Sequence, residues 1–245
     1  MVDPRLNIID KRLAKIRKII AVSSGKGGVG KSLIASTLAL TLSRSGYQVG
    51  LLDLDFSSPS THIILGVKGV YPKEEKGIIP PMVHGLAYMS IIYYAGNCPS
   101  PLRGIDISNA IIELLAITQW SSLDFLVIDM PPGIGDATLD MIRLIKKISF
   151  LVITTSSKVA FETVRKLIEL LGSLKVPVIG VIENMKMTDS LFIRRNIESL
   201  DLPFLGGIEF DYKLEESIGN PNKLLETQFG RSLGWLASNR AEIRS

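Results

Sequence analysis

The sequence predicts an α/β fold, a mostly parallel central sheet with helices on both faces. Three observations lead there. Six short runs, 19–23 (IIAVS), 49–53 (VGLLD), 86–92 (LAYMSII), 125–129 (FLVID), 150–154 (FLVIT) and 178–182 (VIGVI), are almost continuously apolar, as strands buried on both faces are. Helix-length amphipathic stretches intervene at 31–43, 108–117, 138–145, 159–171 and 190–199, and strand alternating with helix implies parallel pairing through right-handed crossovers. Finally, 245 residues that are 46% hydrophobic and 21% charged can fill a sizeable core and are too apolar for a disordered chain.

From the amino end, Leu6, Ile9, Leu13 and Ile16 recur at helical spacing among Arg5, Lys11, Arg12, Lys15, Arg17 and Lys18. That pattern predicts a basic amphipathic helix over 1–18, followed by one domain over 19–245. The stretch 66–85 is rich in Gly and Pro and predicts a hairpin or flap. Residues 214–243 read as short helices with turns at 219–221 and at Gly230. No repeat or Ser/Gly linker marks a second domain.

Composition excludes several classes. The net charge of +4, from 28 Lys and Arg against 24 Asp and Glu, is too small an excess for a dedicated nucleic-acid binder. No apolar run approaches the roughly 20 residues that span a bilayer, and no signal peptide is visible, so the expected location is cytoplasmic. The single cysteine, Cys98, excludes an internal disulfide and a Cys-only zinc site. The two histidines, His62 and His84, have no ligand spacing, so no metal beyond Mg²⁺ is expected.

The chemistry is concentrated in Gly25-Lys26-Gly27-Gly28-Val29-Gly30-Lys31-Ser32, a G-x-x-x-x-G-K-S string between a strand and a helix, which is a phosphate-binding loop. Glycines let the backbone curl so that its N–H groups surround a phosphate, and the helix N-terminus adds its positive end. Lys31 is expected on the β/γ-phosphates of ATP, and the Ser32 hydroxyl on Mg²⁺. Two acidic strand ends join it: Asp53-Leu54-Asp55, and Asp129 after four apolar residues, a Walker B pattern. In a parallel sheet both reach the carboxyl edge, where the loop opens. Asp129 is expected to hold Mg²⁺ through water, Asp53 to support the metal's outer shell, and Asp55 to orient the attacking water.

Lys26, directly after the first glycine, resembles the signature lysine of the deviant-Walker ATPases, which include MinD, ParA and Mrp. Longer strings resemble the Mrp (ApbC-like) branch: Asp53-x-Asp55-x-x-x-Pro59-Ser60, Pro101-Leu102-Arg103-Gly104, Asp129-Met130-Pro131-Pro132-Gly133-Ile134-Gly135-Asp136, and 176–185 ending Glu183-Asn184-Met185. The resemblance implies an ATP-hydrolysing homodimer in iron–sulfur cluster assembly or carriage. It also implies that Lys26 reaches the partner's nucleotide and that Asn184 contacts adenine. One feature departs from the family: the C-x-x-C that follows E-N-M in cluster carriers is replaced by Lys186-Met187-Thr188-Asp189-Ser190-Leu191-Phe192-Ile193. A four-iron cluster shared by two subunits needs about four thiolates, and a Cys98 pair supplies two. The expectation is an intact ATPase that either works with an iron–sulfur protein partner or a cysteine-bearing paralogue or has left that pathway. The alternative is a MinD- or ParA-like positioning ATPase that binds membrane or DNA. The tail 231–240 is a poor membrane helix, and the small charge excess argues against DNA.

Overall fold

The computed structural model describes residues 3–95, 105–187 and 191–244. Cys98, the 101–104 segment and residues 188–190 lie outside them. In chain order the elements are α1 (Arg5–Leu13), β1 (Ile16–Ser24), α2 (Lys31–Arg44), β2 (Val49–Asp53), α3 (Thr61–Leu65), β3 (Lys73–Glu74), β4 (Ile78–Ile79), β5 (Met82–Val83), β6 (Leu86–Ser90) and α4 (Ile92–Ala95). There follow α5 (Ile105–Ile117), β7 (Leu123–Asp129), α6 (Asp136–Leu144), β8 (Ile148–Thr155), α7 (Lys158–Ser173), β9 (Val178–Lys186), α8 (Leu191–Glu198) and β10 (Phe204–Glu209). A 3-10 turn (Leu214–Ser217) leads to α9 (Pro221–Glu226), α10 (Gln228–Asn239) and α11 (Ala241–Arg244).

The main sheet runs β10-β9-β8-β1-β7-β2-β6-β5 and is parallel except where β5 pairs antiparallel with β6. Successive residues of each strand point to opposite faces, and both faces are dry. Ile19, Ala21, Leu126 and Ile128 join one core, with residues of α1, α5, α6, α7 and α8. Ile20, Val22, Phe125 and Val127 join the other, with α2, α9 and α10. This double burial is why the strands read as unbroken apolar runs rather than alternating ones.

The amino-terminal helix is shorter than the expected 1–18. It ends at Leu13, and Ile16 already belongs to β1, paired with Leu123, while Lys18 pairs with Phe125. Ladder hydrogen bonds to β7 and burial of Ile16 outweigh one more helical turn. Ile9 and Leu13 enter the core shared with α5, so the helix packs onto the sheet domain, and the expected boundary at 18 falls inside β1. The 66–85 stretch does form a hairpin, β3 against β4, with β5 at the sheet edge. Gly230 is not a turn but lies in the first turn of α10, packed on the backbone of Leu224 and Leu225. β10, whose sequence FLGGIE resembles a turn, is a strand because α10 presses on it: a Cβ at Gly206 would stand 2.7 Å from Leu236. Among the described residues, no helix is long and apolar enough to cross a membrane.

Candidate active site

β1, β2 and β7 are adjacent, and their register sets Val22 beside Asp129 and Asp129 beside Asp53. The loop 25–30 leaves β1 at the same edge and turns into α2 at Lys31. It is held on two sides. Gly25 lies against α7, where a Cβ would come 2.6 Å from the Val164 nitrogen; Gly30, at φ +82°, faces the Asn184 side chain. Asn184 donates from Nδ2 to the Val29 carbonyl at 2.9 Å. Gly27 and Gly28 have open space where a Cβ would be. None of the N–H groups of residues 26–32 donates to a protein acceptor among the described residues. Because backbone donors are nearly always paired, a row of unpaired ones around a cavity marks an anion site.

That cavity, of about 430 Å³, is lined by the glycine loop, Lys31, Ser32, Asp55, Ser57, Ser58 and Pro132, and its size suits a nucleotide-scale ligand. A wider groove of about 600 Å³ between 210–217 and the start of α10 contains none of these groups. Lys31 is buried, with Nζ 2.6 Å from Asp129 Oδ1, 3.8 Å from Asp55 Oδ2 and 3.4 Å from the Ser32 hydroxyl. Burial pushes the Asp129 carboxyl up to about 6, a rise that Lys31 opposes and Asp53 adds to. Asp129 Oδ2 is buried without a hydrogen-bond partner among the described residues. A buried carboxylate oxygen left unpaired is costly, and with the Ser32 hydroxyl it forms a hard-oxygen donor set of the kind Mg²⁺ takes.

The structure brings Lys31, Ser32, Asp55 and Asp129 together, while the side chains of Asp53 and Asn184 bond neighbouring protein groups. Asp53 is fully buried, and both of its oxygens accept from protein: Oδ1 from the Asp55 N–H at 3.0 Å, Oδ2 from the Thr61 N–H at 3.1 Å and the Thr61 hydroxyl at 2.7 Å. Asp55 Oδ1 in turn accepts from the Ser57 hydroxyl and from the N–H groups of Ser57 and Ser58. Asn184 is buried against the loop it fastens. Lys26 lies exposed, without an ion pair among the described residues, while its carbonyl accepts from the Ser24 hydroxyl. Thr61 and Tyr88 were not visible as site residues. Serines after an Asp hint at such a turn, but nothing in the string LAYMS marks Tyr88 as a neighbour of Thr61.

The protein family described as "ParA: NUBPL iron-transfer P-loop NTPase" matches residues 15–232. An iron-sulfur cluster carrier protein of Pseudomonas fragi is 41% identical over 177 residues, 71% of this chain but only 62% of that protein; the chain therefore spans less than two thirds of this relative. A nucleotide-binding protein of Archaeoglobus fulgidus, solved in complex with ADP, is 30% identical, with a TM-score of 0.76 over 90% of this chain and 93% of the other. The cell-division ATPase MinD of Pyrococcus furiosus, 20% identical, shares the fold, with a TM-score of 0.66 over 91% of this chain and 97% of its own. The family match begins just before β1 and ends within α10, taking in the whole sheet and its phosphate loop: this chain belongs to the Mrp-like family of iron-transfer P-loop NTPases.

Proposed function

We propose that this protein is a Mg²⁺-dependent ATPase that works as a homodimer and changes conformation to serve iron–sulfur cluster carriage in the cytoplasm. The observation that carries the reading is the meeting of Lys31, Asp129 and Asp55 at the mouth of a loop whose N–H groups have no acceptor among the described residues. Entering phosphates replace Asp129 as the counter-charge of Lys31. Asp129 and Ser32 would then be free to hold Mg²⁺, which would supply neutralisation of phosphate charge. Asp55, with Oδ1 tied back to Ser57 and Ser58, offers Oδ2 to the attacking water. The water oxygen forms the new bond to the γ-phosphorus and passes a proton to Asp55, the bond to the bridging oxygen breaks, and ADP leaves with that electron pair. Asn184, beside the loop, is proposed to meet the adenine.

Lys26 is proposed to act on the nucleotide of the second subunit, as a cation brought to the charge that develops on the transferred phosphoryl. The support is its exposure and freedom from ion pairs among the described residues, next to a site that already has its own lysine. With one cysteine per chain, the thiolates for a cluster are proposed to come from an iron–sulfur protein partner or a cysteine-bearing paralogue. Calorimetric titration with ATP, with and without Mg²⁺, tests the core of the reading: tight binding only with the metal is expected, and no binding under either condition overturns it. Anaerobic reconstitution with iron and sulfide, alone and mixed with a cysteine-bearing carrier, tests the cargo. Retention of iron by this chain alone would contradict the division of labour.

A further inference from the structure

We propose that Thr61 and Tyr88 are positioning residues for hydrolysis, acting through Asp53 to set the carboxylate of Asp55; this rests on the water-orienting reading of Asp55 above. The loop between β2 and α3 leaves the sheet at Leu54, whose N–H donates to the Asp129 carbonyl, and returns at Thr61, the first residue of α3. One buried carboxylate closes both ends of it. Asp53 Oδ1 takes the N–H of Asp55 on the outgoing side, and Oδ2 takes the N–H and hydroxyl of Thr61 on the returning side. Asp55 sits inside this closure.

The hydroxyl of Thr61 has a second partner, the Tyr88 hydroxyl of β6, at 2.9 Å. Because Thr61 spends its proton on Asp53 at 2.7 Å, Tyr88 must be the donor in that pair. The chain thus runs Tyr88 O–H to Thr61 O–H to Asp53, and Asp53, Thr61 and Tyr88 are all fully buried. A network with no water to replace a lost member transmits that loss to its neighbours. Here the neighbour is the backbone of Asp55. Residues 25–30 take no part in these bonds, and Lys31 meets the loop only at Asp55 Oδ2, 3.8 Å away.

The test is ATP hydrolysis by the full-length chain, measured as single turnovers with enzyme in excess, alongside ATP affinity. Thr61→Val keeps shape and removes the hydroxyl; it should slow hydrolysis by roughly tenfold to 10²-fold, the range for a misplaced reacting group, with ATP affinity held. Thr61→Ser should restore the rate, and Tyr88→Phe should show a smaller loss of the same kind. In an Asp55→Asn background the Thr61→Val effect should vanish, since residues acting through one group are not additive. Hydrolysis at the parent rate in folded Thr61→Val overturns the proposal, as does a matching loss of ATP affinity or an undiminished effect without the Asp55 carboxylate. Should Thr61→Val not fold, a folded Tyr88→Phe at the parent rate overturns it equally. Parent-rate hydrolysis by Asp55→Asn alone would instead remove the reading on which this one rests.

Discussion

Two loops face each other across the same cavity and are built on opposite principles. The N–H groups of residues 26–30 have no protein acceptor among the described residues, and the loop is packed against α7 and fastened by Asn184. The 54–60 loop turns its N–H groups inward, onto Asp53 and Asp55 of its own segment. The first is a rigid surface of unspent donors, suited to an anion that arrives from solvent. The second is held by the carboxylates of Asp53 and Asp55. On the proposed reading, binding belongs to the loop that keeps its donors free, and timing to the loop that spends them.

The comparison is broken most severely at Lys31. Lys31→Ala removes the only buried cation of the phosphate loop and should weaken ATP binding by about 10²-fold or more, the scale of charge-assisted bonds at a buried site; unchanged affinity by calorimetry would mean that the glycine loop is not the receiving side. Asp55→Ala should sharpen the contrast, with ATP affinity retained and turnover reduced by roughly 10²-fold, as when a positioned base is lost. Equal losses in both would place Asp55 with the binding loop. Lys26→Ala should bind ATP nearly as the parent does yet hydrolyse poorly. Mixed with inactive Asp55→Ala, each heterodimer should recover about half the activity of a normal dimer, because one of its sites keeps both groups, so an equal, randomly paired mixture should show about a quarter; demonstrated heterodimers with no activity would refute action across the interface. The smallest effect is expected at Asn184. Its replacement by Ala removes one bond to Val29, so melting should report a loss of about 1 kcal/mol, with ATP affinity falling only severalfold.

Much of this was legible beforehand because the governing signals are local. Lys31 to Arg44 begins as a helix where the G-K-S string requires one, and Val49–Asp53 has the bounds its apolar run sets. Lys31, Asp55 and Asp129 could be placed on one edge because parallel strands put their carboxyl ends together. Other features were not readable because their causes lie elsewhere in the chain. Ile16 leaves the helical pattern only when Leu123 stands beside it, and the Gly-rich β10 is a strand only where Leu236 fills the space that a side chain would need.

The sequence by itself determined six central strands and the phosphate loop, since apolar runs and glycine spacing are patterns local in the chain. It likewise determined that these 245 residues carry a single cysteine, Cys98. Only the tertiary structure decided how the acidic residues divide their tasks. Asp53 and Asp129 are both aspartates at the ends of apolar strands and are register partners. Yet Asp53 meets Thr61 and the Asp55 backbone and is fully satisfied, while Asp129 meets Lys31 and keeps one oxygen unpaired among the described residues. A carboxylate's role follows from which donors reach it, and those donors come from segments brought together only by folding.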